Sequence, residues 1–302
     1  MVDDNQKQRL KEAIIRVIVF FDLFDYPLTS YEIWQYLDQP VTLLEIKDIL
    51  DYGLSEVEEK NGFYFLVSRS QILLTRQERH HFSAAKFKLA YRATRLFRII
   101  PFVEMIAVSN IIGSHNLRDE SDIDLFIVAS PERLWLTRLF CTGLAKILGW
   151  RPTAKTKRNR ICLSFYISSD ALKLESLKLG QDDFYFNYWL VGLVPIYNKN
   201  KTYSRLIAEN DWLKNYLPNW SGFKLSIDKK DEFKINNPGI LSKLERRTMD
   251  WQLKIMPPSL KSLINIDTRV RVNNQIIKLY LVDRRREFSE KFSRRLNQIL
   301  NK

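Results

Sequence analysis

The chain has 302 residues, of which 45% are hydrophobic and 27% charged, and a formal net charge of +13. That length and balance support a sizeable buried core, fit two or three domains, and exclude a disordered or fibrous protein. No run of 18 apolar residues occurs, and the N-terminal MVDDNQKQRLKEA lacks the basic-then-apolar order of a signal peptide, so a cytoplasmic protein with no membrane span is expected. Two cysteines, Cys141 and Cys162, read as reduced thiols rather than a disulfide framework. Three histidines without ligand spacing argue against a zinc site.

Charge divides the chain. Residues 1–75 hold 7 Lys+Arg against 13 Asp+Glu, residues 76–180 hold 18 against 9, and residues 181–302 hold 23 against 13. A surface that attracts nucleotide or nucleic acid is therefore expected in the last two segments. In chain order, residues 6–24 read as a helix with Leu10, Ile14, Val17, Ile18 and Phe21 on one face. Thr29 or Ser30 caps a second, short helix ending at Leu37. Thr42 opens a third helix, Leu43–Leu50, with Glu45 completing a capping box. Residues 57–67 then read as a hairpin with Asn61-Gly62 at its tip.

Three helices followed by a hairpin resemble a winged helix–turn–helix over residues 7–70. The recognition helix that this resemblance implies carries Glu45, Asp48 and Asp51 against one lysine, Lys47. Major-groove binding needs basic side chains near phosphates, so a structural or protein-contacting role is expected here over DNA binding. A long basic helix is expected over 74–100, stopped by Pro101; Arg92, Arg95 and Arg98 suit either a solvated face or phosphate contacts.

The stretch 103–128, VEMIAVSNIIGSHNLRDESDIDLFIV, organises the middle of the chain. An apolar strand comes first, then a polar turn, then an alternating strand that projects Asp122 and Asp124 to one face. Adjacent carboxylates repel unless a cation sits between them, and Mg²⁺ prefers such hard oxygen ligands. This stretch resembles the core of the nucleotidyltransferase superfamily that includes DNA polymerase β, the kanamycin nucleotidyltransferases and the CCA-adding enzymes. The family has a Gly-Ser pair at a strand end, a helical turn, and Asp-x-Asp on the next strand. Gly113-Ser114 and Asp122-Ile123-Asp124 resemble the two halves. The resemblance implies Mg²⁺ on Asp122 and Asp124, nucleoside triphosphate at Gly113, Ser114 and Ser121, and transfer of a nucleoside monophosphate to a hydroxyl. Seven residues separate Ser114 from Asp122; a longer gap would place the pair at Asn110-Ile111.

A helix is expected over Glu132–Leu148, and Arg151, Lys155, Lys157, Arg158 and Arg160 make a basic loop, either solvated or contacting a triphosphate or nucleic-acid backbone. Residues 161–168, ICLSFYIS, alternate as a third strand, with Cys162, Ser164 and Tyr166 on one face and Leu163, Phe165 and Ile167 on the other. In the family this strand carries a third carboxylate. Ser164 holds the best-matching position here, no Asp or Glu lies between Glu132 and Asp170, and Asp170 sits just past the strand. Helices are expected over 171–179, 184–193, 203–217, 240–255 and 279–300, with turns at Pro195 and at 198–201, and a linker at 219–238. Tyr185, Tyr188 and Trp189 suit either core packing or stacking on a base.

The sequence thus predicts an α+β protein in three parts: a winged-helix-like domain (1–75), a nucleotidyltransferase-like core with a small mixed β-sheet and helices on one side (76–180), and a helical C-terminal region (181–302). Expected partners are Mg²⁺, a nucleoside triphosphate, an RNA, DNA or small-molecule acceptor at the basic regions, and a protein at the acidic winged helix. Two other functions fit the residues: a catalytically inactive homologue acting as a binding module, and a winged-helix DNA-binding regulator.

Overall fold

The computed structural model describes residues 4–110, 112–153, 155–223 and 238–301. The chain begins with α1 (Asp4–Asp22), α2 (Ser30–Tyr36), α3 (Leu43–Tyr52) and the hairpin β1 (Val57–Lys60) and β2 (Phe63–Leu66). Thr29 and Thr42 each form a complete capping box, with Glu32 and Glu45. Asn61 and Gly62 take positive φ at the hairpin tip, matching the twist of the paired strands. The expected apolar face of α1 is buried, and Ile15, Val19 and Phe20 are buried as well. The end of α1 is thus enclosed all round, with Phe20 edge-on to Phe292 near the C-terminus.

After α4 (Ile72–Phe97), the chain builds a single mixed six-stranded sheet, in the order β6-β3-β4-β5-β8-β7. Its centre is β3 (Val103–Val108), β4 (Ile123–Ala129) and β5 (Ile161–Ser168). β4 and β5 run parallel, joined by the crossover helix α5 (Leu134–Ile147), and every other pair is antiparallel. The outer strands are β6 (Val194–Asn198), β7 (Val270–Val272) and β8 (Ile276–Leu279).

These outer strands correct three expectations. The stretch after residue 181 is not purely helical, because three of the sheet's strands come from it. Pro195, expected in a turn, sits on the edge strand β6, where its missing N–H costs no ladder bond. The last helix, α10, begins at Arg285, not Leu279, because Leu279 belongs to β8. α6 (Phe184–Val191), α7 (Thr202–Glu209), α8 (Pro238–Lys254), α9 (Pro258–Lys261) and α10 (Arg285–Leu300) complete the described helices. Residues 171–179 hold only a 3-10 turn, Glu175–Leu177. Most of the expected linker, 224–237, lies outside the described residues.

Helices cover both faces of the sheet rather than one. Phe126, Val128, Phe165 and Ile167 pack with α1, α6, α7 and α10 in one core. Ile123, Leu125, Ile127, Leu163 and Tyr166 pack with α4 and α5, flanked by α8, in the other. No described helix is long and apolar enough to cross a membrane.

Candidate functional site

Asp122 is the last residue before β4, and Asp124 is its second residue. Ile123 between them is fully buried in the α4–α5 core, which turns both carboxylates to the opposite face. The end of β3 holds this segment in place. The Ser109 N–H and hydroxyl donate to the Asp124 carbonyl at 2.9 and 3.2 Å, and the Asn110 amide donates to the Asp122 carbonyl at 2.9 Å. The amide oxygen of Asn110 is buried without a partner.

On the neighbouring strand the residue in register with Asp124 is Cys162. Ligand atoms of Asp122, Asp124 and Cys162 lie within 4.8 Å of one another. Ser164 lies beside them, its hydroxyl 2.9 Å from the Cys162 sulfur. The expected alternation of β5 holds only to Ser164. The register shifts between Asp124 and Phe126, so Phe165 joins the α1–α6 core and Tyr166 the α4–α5 core. Tyr166 is therefore not on the face of Cys162. Asp170 is not a third site carboxylate: it follows the far end of β5, about 26 Å along the strand from Cys162 at 3.3 Å per residue.

Among the described residues no Lys or Arg forms an ion pair with Asp122 or Asp124, and burial raises both. Asp124 is pushed up to about 7, by burial first and then by the charge of Asp122. Lys157, Lys86 and Arg151 pull Asp122 the other way. The basic loop therefore brings at least Arg151 and Lys157 to this end of the sheet. Two hard carboxylates with unrelieved repulsion fit one Mg²⁺ shared with phosphate oxygens; the thiol beside them is not a Mg²⁺ ligand.

A cleft of about 240 Å³ opens beside Asp124. Ser109 and Asn110 form part of its wall, with Phe165, Tyr185, Trp189, Tyr280 and Phe288, and Lys278 and Arg284 add positive charge. The aromatic trio of α6 divides: Tyr188 packs against Phe20 and Phe21 in the core, while Tyr185 and Trp189 face the cleft. Burial pulls Lys278 down to about 8 and pushes Tyr185 up to about 12.

Gly113, Ser114 and Ser121 do not line this cleft. Gly113 has φ +84° and lies against the Tyr26 ring, where an added Cβ would meet ring carbons at 2.8 Å. The Ser114 N–H donates to the Tyr26 hydroxyl at 2.9 Å, and that hydroxyl donates to Glu32 at 2.6 Å. The Gly-Ser turn thus fastens the sheet to the N-terminal helices, and Ser109-Asn110 occupies the strand end nearest the aspartates.

Sequence reasoning missed Lys86. Its amine is buried within the structure and donates to the carbonyls of Asp119 and Ser121 at 2.9 and 2.6 Å and to the Asn159 side chain at 2.9 Å. One lysine thereby ties together the two loops that lead into Asp122 and Cys162. Its place in an amphipathic helix gives no signal of this, because the acceptors lie 33 to 73 residues away. Cys162 could have been found from the period-2 pattern that places it beside Ser164. Comparison of the chain with protein-family models, with curated proteins and with solved structures finds no match.

Proposed function

We propose that the protein binds a nucleoside triphosphate with Mg²⁺ at Asp122 and Asp124, in the manner of a nucleotidyltransferase. The observation that carries this reading is the pair of half-buried carboxylates at the start of β4, without an ion-pair partner among the described residues and with Asp124 on the wall of a cleft. Asp122 and Asp124 would hold the metal, which when bound neutralises charge on the phosphoryl group. Ser109 and Asn110 fix the backbone behind the carboxylates, and Lys157 and Arg151 supply positive charge for phosphate oxygens. The aromatic wall formed by Tyr185, Trp189 and Tyr280 suits a planar ring.

A second reading, binding without transfer, is favoured by Cys162. It stands in register with Asp124, while Ser164 holds the position where the resemblance calls for a third carboxylate, and neither that hydroxyl nor a thiol held far above its usual range by burial is a general base. The exposed side of α3 carries Asp48 and Asp51 beside Lys47, which suits a protein partner better than duplex DNA. A cytoplasmic location accords with reduced thiols at Cys141 and Cys162.

Equilibrium dialysis with each ribonucleoside triphosphate, with Mg²⁺ or with EDTA, tests the common core of both readings. Binding that needs Mg²⁺ is expected, and equal retention in EDTA, or none in Mg²⁺, contradicts it. Pyrophosphate release in the same samples separates transfer from binding alone.

A further inference from the structure

The nucleotide reading leaves the thiol of Cys162 without a task. It is half-buried, in register with Asp124 on the parallel neighbour strand, and its sulfur lies with carboxylate oxygens of Asp122 and Asp124 inside a 4.8 Å group. Ligand atoms on one tetrahedral zinc-sized ion at roughly 2.0–2.3 Å lie about 3.3–3.8 Å apart. Side-chain movements of up to about an ångström therefore close these three groups on a single ion. A second observation points to a missing cation. Asp22, Asp25, Asp183 and Asp283 each have an arginine partner, whereas among the described residues Asp122 and Asp124 have no ion pair at all. Enclosed like charges without an ion-pair partner are costly, and a cation bound between them removes that cost.

We propose that Asp122, Asp124 and Cys162 form a site for a borderline-soft divalent cation of the zinc class, bound ahead of Mg²⁺ and without nucleotide. The proposal rests on the reading of Asp122 and Asp124 as metal ligands. Two carboxylates and a thiolate complete three positions of a tetrahedron and leave the fourth for water or a phosphate oxygen. On binding, the Cys162 S–H bond breaks, its proton passes to solvent, and a sulfur–metal bond forms with no change of oxidation state. The Ser164 hydroxyl, 2.9 Å from the sulfur, then donates to the thiolate and orients it. Histidine spacing argues against a zinc site, and this one uses no histidine. Mg²⁺ has little affinity for thiolate, so it gains only the two carboxylates and depends on nucleotide oxygens for the rest. A zinc-class ion therefore competes with Mg²⁺–nucleotide for the same carboxylates.

Co²⁺ is the probe, titrated into the full chain without nucleotide. The expected result is a thiolate-to-metal charge-transfer band that saturates at one ion per chain, is erased by Zn²⁺ and is untouched by equal Mg²⁺. Cys162→Ser should lose the band and weaken Zn²⁺ binding roughly 10- to 100-fold, since a lost ligand costs no less than a lost outer-shell partner. Cys141→Ser, altered at a thiol buried in α5, should keep the band. Alkylation of the wild-type protein, mapped by mass spectrometry, serves where Cys162→Ser misfolds: Zn²⁺ should protect Cys162. No band in the wild type, a band that survives Cys162→Ser, or no protection overturns the proposal. A band without nucleotide binding supports the metal site and sinks the nucleotide reading; Mg²⁺-dependent nucleotide binding without a band does the reverse.

Discussion

Two pairs of aspartates each put one member, Asp124 and Asp283, on the wall of the same cleft, and the pairs differ in what answers their charge. Asp183 and Asp283 share Arg285, whose guanidinium reaches Asp183 at 2.8 Å and Asp283 at 2.6 Å and also donates to the Leu177 carbonyl at 2.8 Å. Asp122 and Asp124 have Cys162 beside them and, among the described residues, no ion-pair partner. The consequences run in opposite directions. Burial alone would raise Asp283, but hydrogen bonds from Arg285, with its charge and that of Lys278, hold it well below the usual carboxylate range. Burial, with the charge of Asp122, outweighs the Cys162 hydrogen bond and the charge of Arg151 at Asp124, which is pushed up to about 7. One pair holds the fold together; the other stores repulsion that a cation can relieve. The comparison shows why two acids at close spacing do not identify a site until their counter-charges are known.

Removing Arg285 breaks the compensated pair and has the largest expected effect. Arg285→Ala leaves Asp183 and Asp283 enclosed without a counter-charge, and denaturant unfolding should show a loss of about 3–5 kcal/mol. A loss under about 1 kcal/mol would mean the pair does not depend on the arginine. A smaller loss is expected for Lys86→Met, which strands the Asp119 and Ser121 carbonyls. About 1–3 kcal/mol should go, and metal affinity at Asp122 should fall with it because its loop loosens. Unchanged metal affinity would confine Lys86 to stability.

Gly113→Ala sharpens the comparison at the hinge between regions. The methyl meets the Tyr26 ring and the backbone is in the left-handed region, so about 1–3 kcal/mol of stability should be lost while nucleotide affinity in the folded protein stays unchanged. A specific fall in nucleotide affinity would return Gly113 to the binding site.

The pH response is the finest distinction. Asp124 has a folded value raised above its unfolded one, so its ionisation opposes folding increasingly as pH rises from about 4 to 7. Asp124→Asn should therefore melt higher than wild type above pH 7, with the difference gone below about pH 4. Asp283 has a lowered folded value, so its contribution is present above about pH 4 and is lost as pH falls further. Asp283→Asn should accordingly melt lower than wild type at neutral pH, and the gap should narrow in acid.

Local chemistry made much of this legible. Thr29 and Thr42 with their glutamates, the Asn61-Gly62 tip, and the strand carrying Asp122 and Asp124 are short-range signals, and each element is present. What escaped was set by distant partners. Val270–Val272 and Ile276–Leu279 are too short to stand out, yet they form a hairpin that extends the sheet beside β5. Gly113-Ser114 has the composition of a phosphate turn, but Tyr26, 88 residues earlier, claims it. The register shift that places Cys162 and Phe165 on one side of β5 is invisible to simple alternation. Nor does the sequence distinguish Arg285, which is buried, from the exposed Arg284 and Arg286 beside it.

The central claim is that Asp122 and Asp124 bind a metal jointly with a nucleotide. Titration calorimetry of wild type and Asp124→Asn with a nucleoside triphosphate, in Mg²⁺ and in EDTA, tests it directly. If metal and nucleotide complete one coordination shell, heat of binding is expected for wild type in Mg²⁺ and in no other combination. The same nucleotide affinity in all four samples would contradict the claim and leave the aspartates without a part in binding.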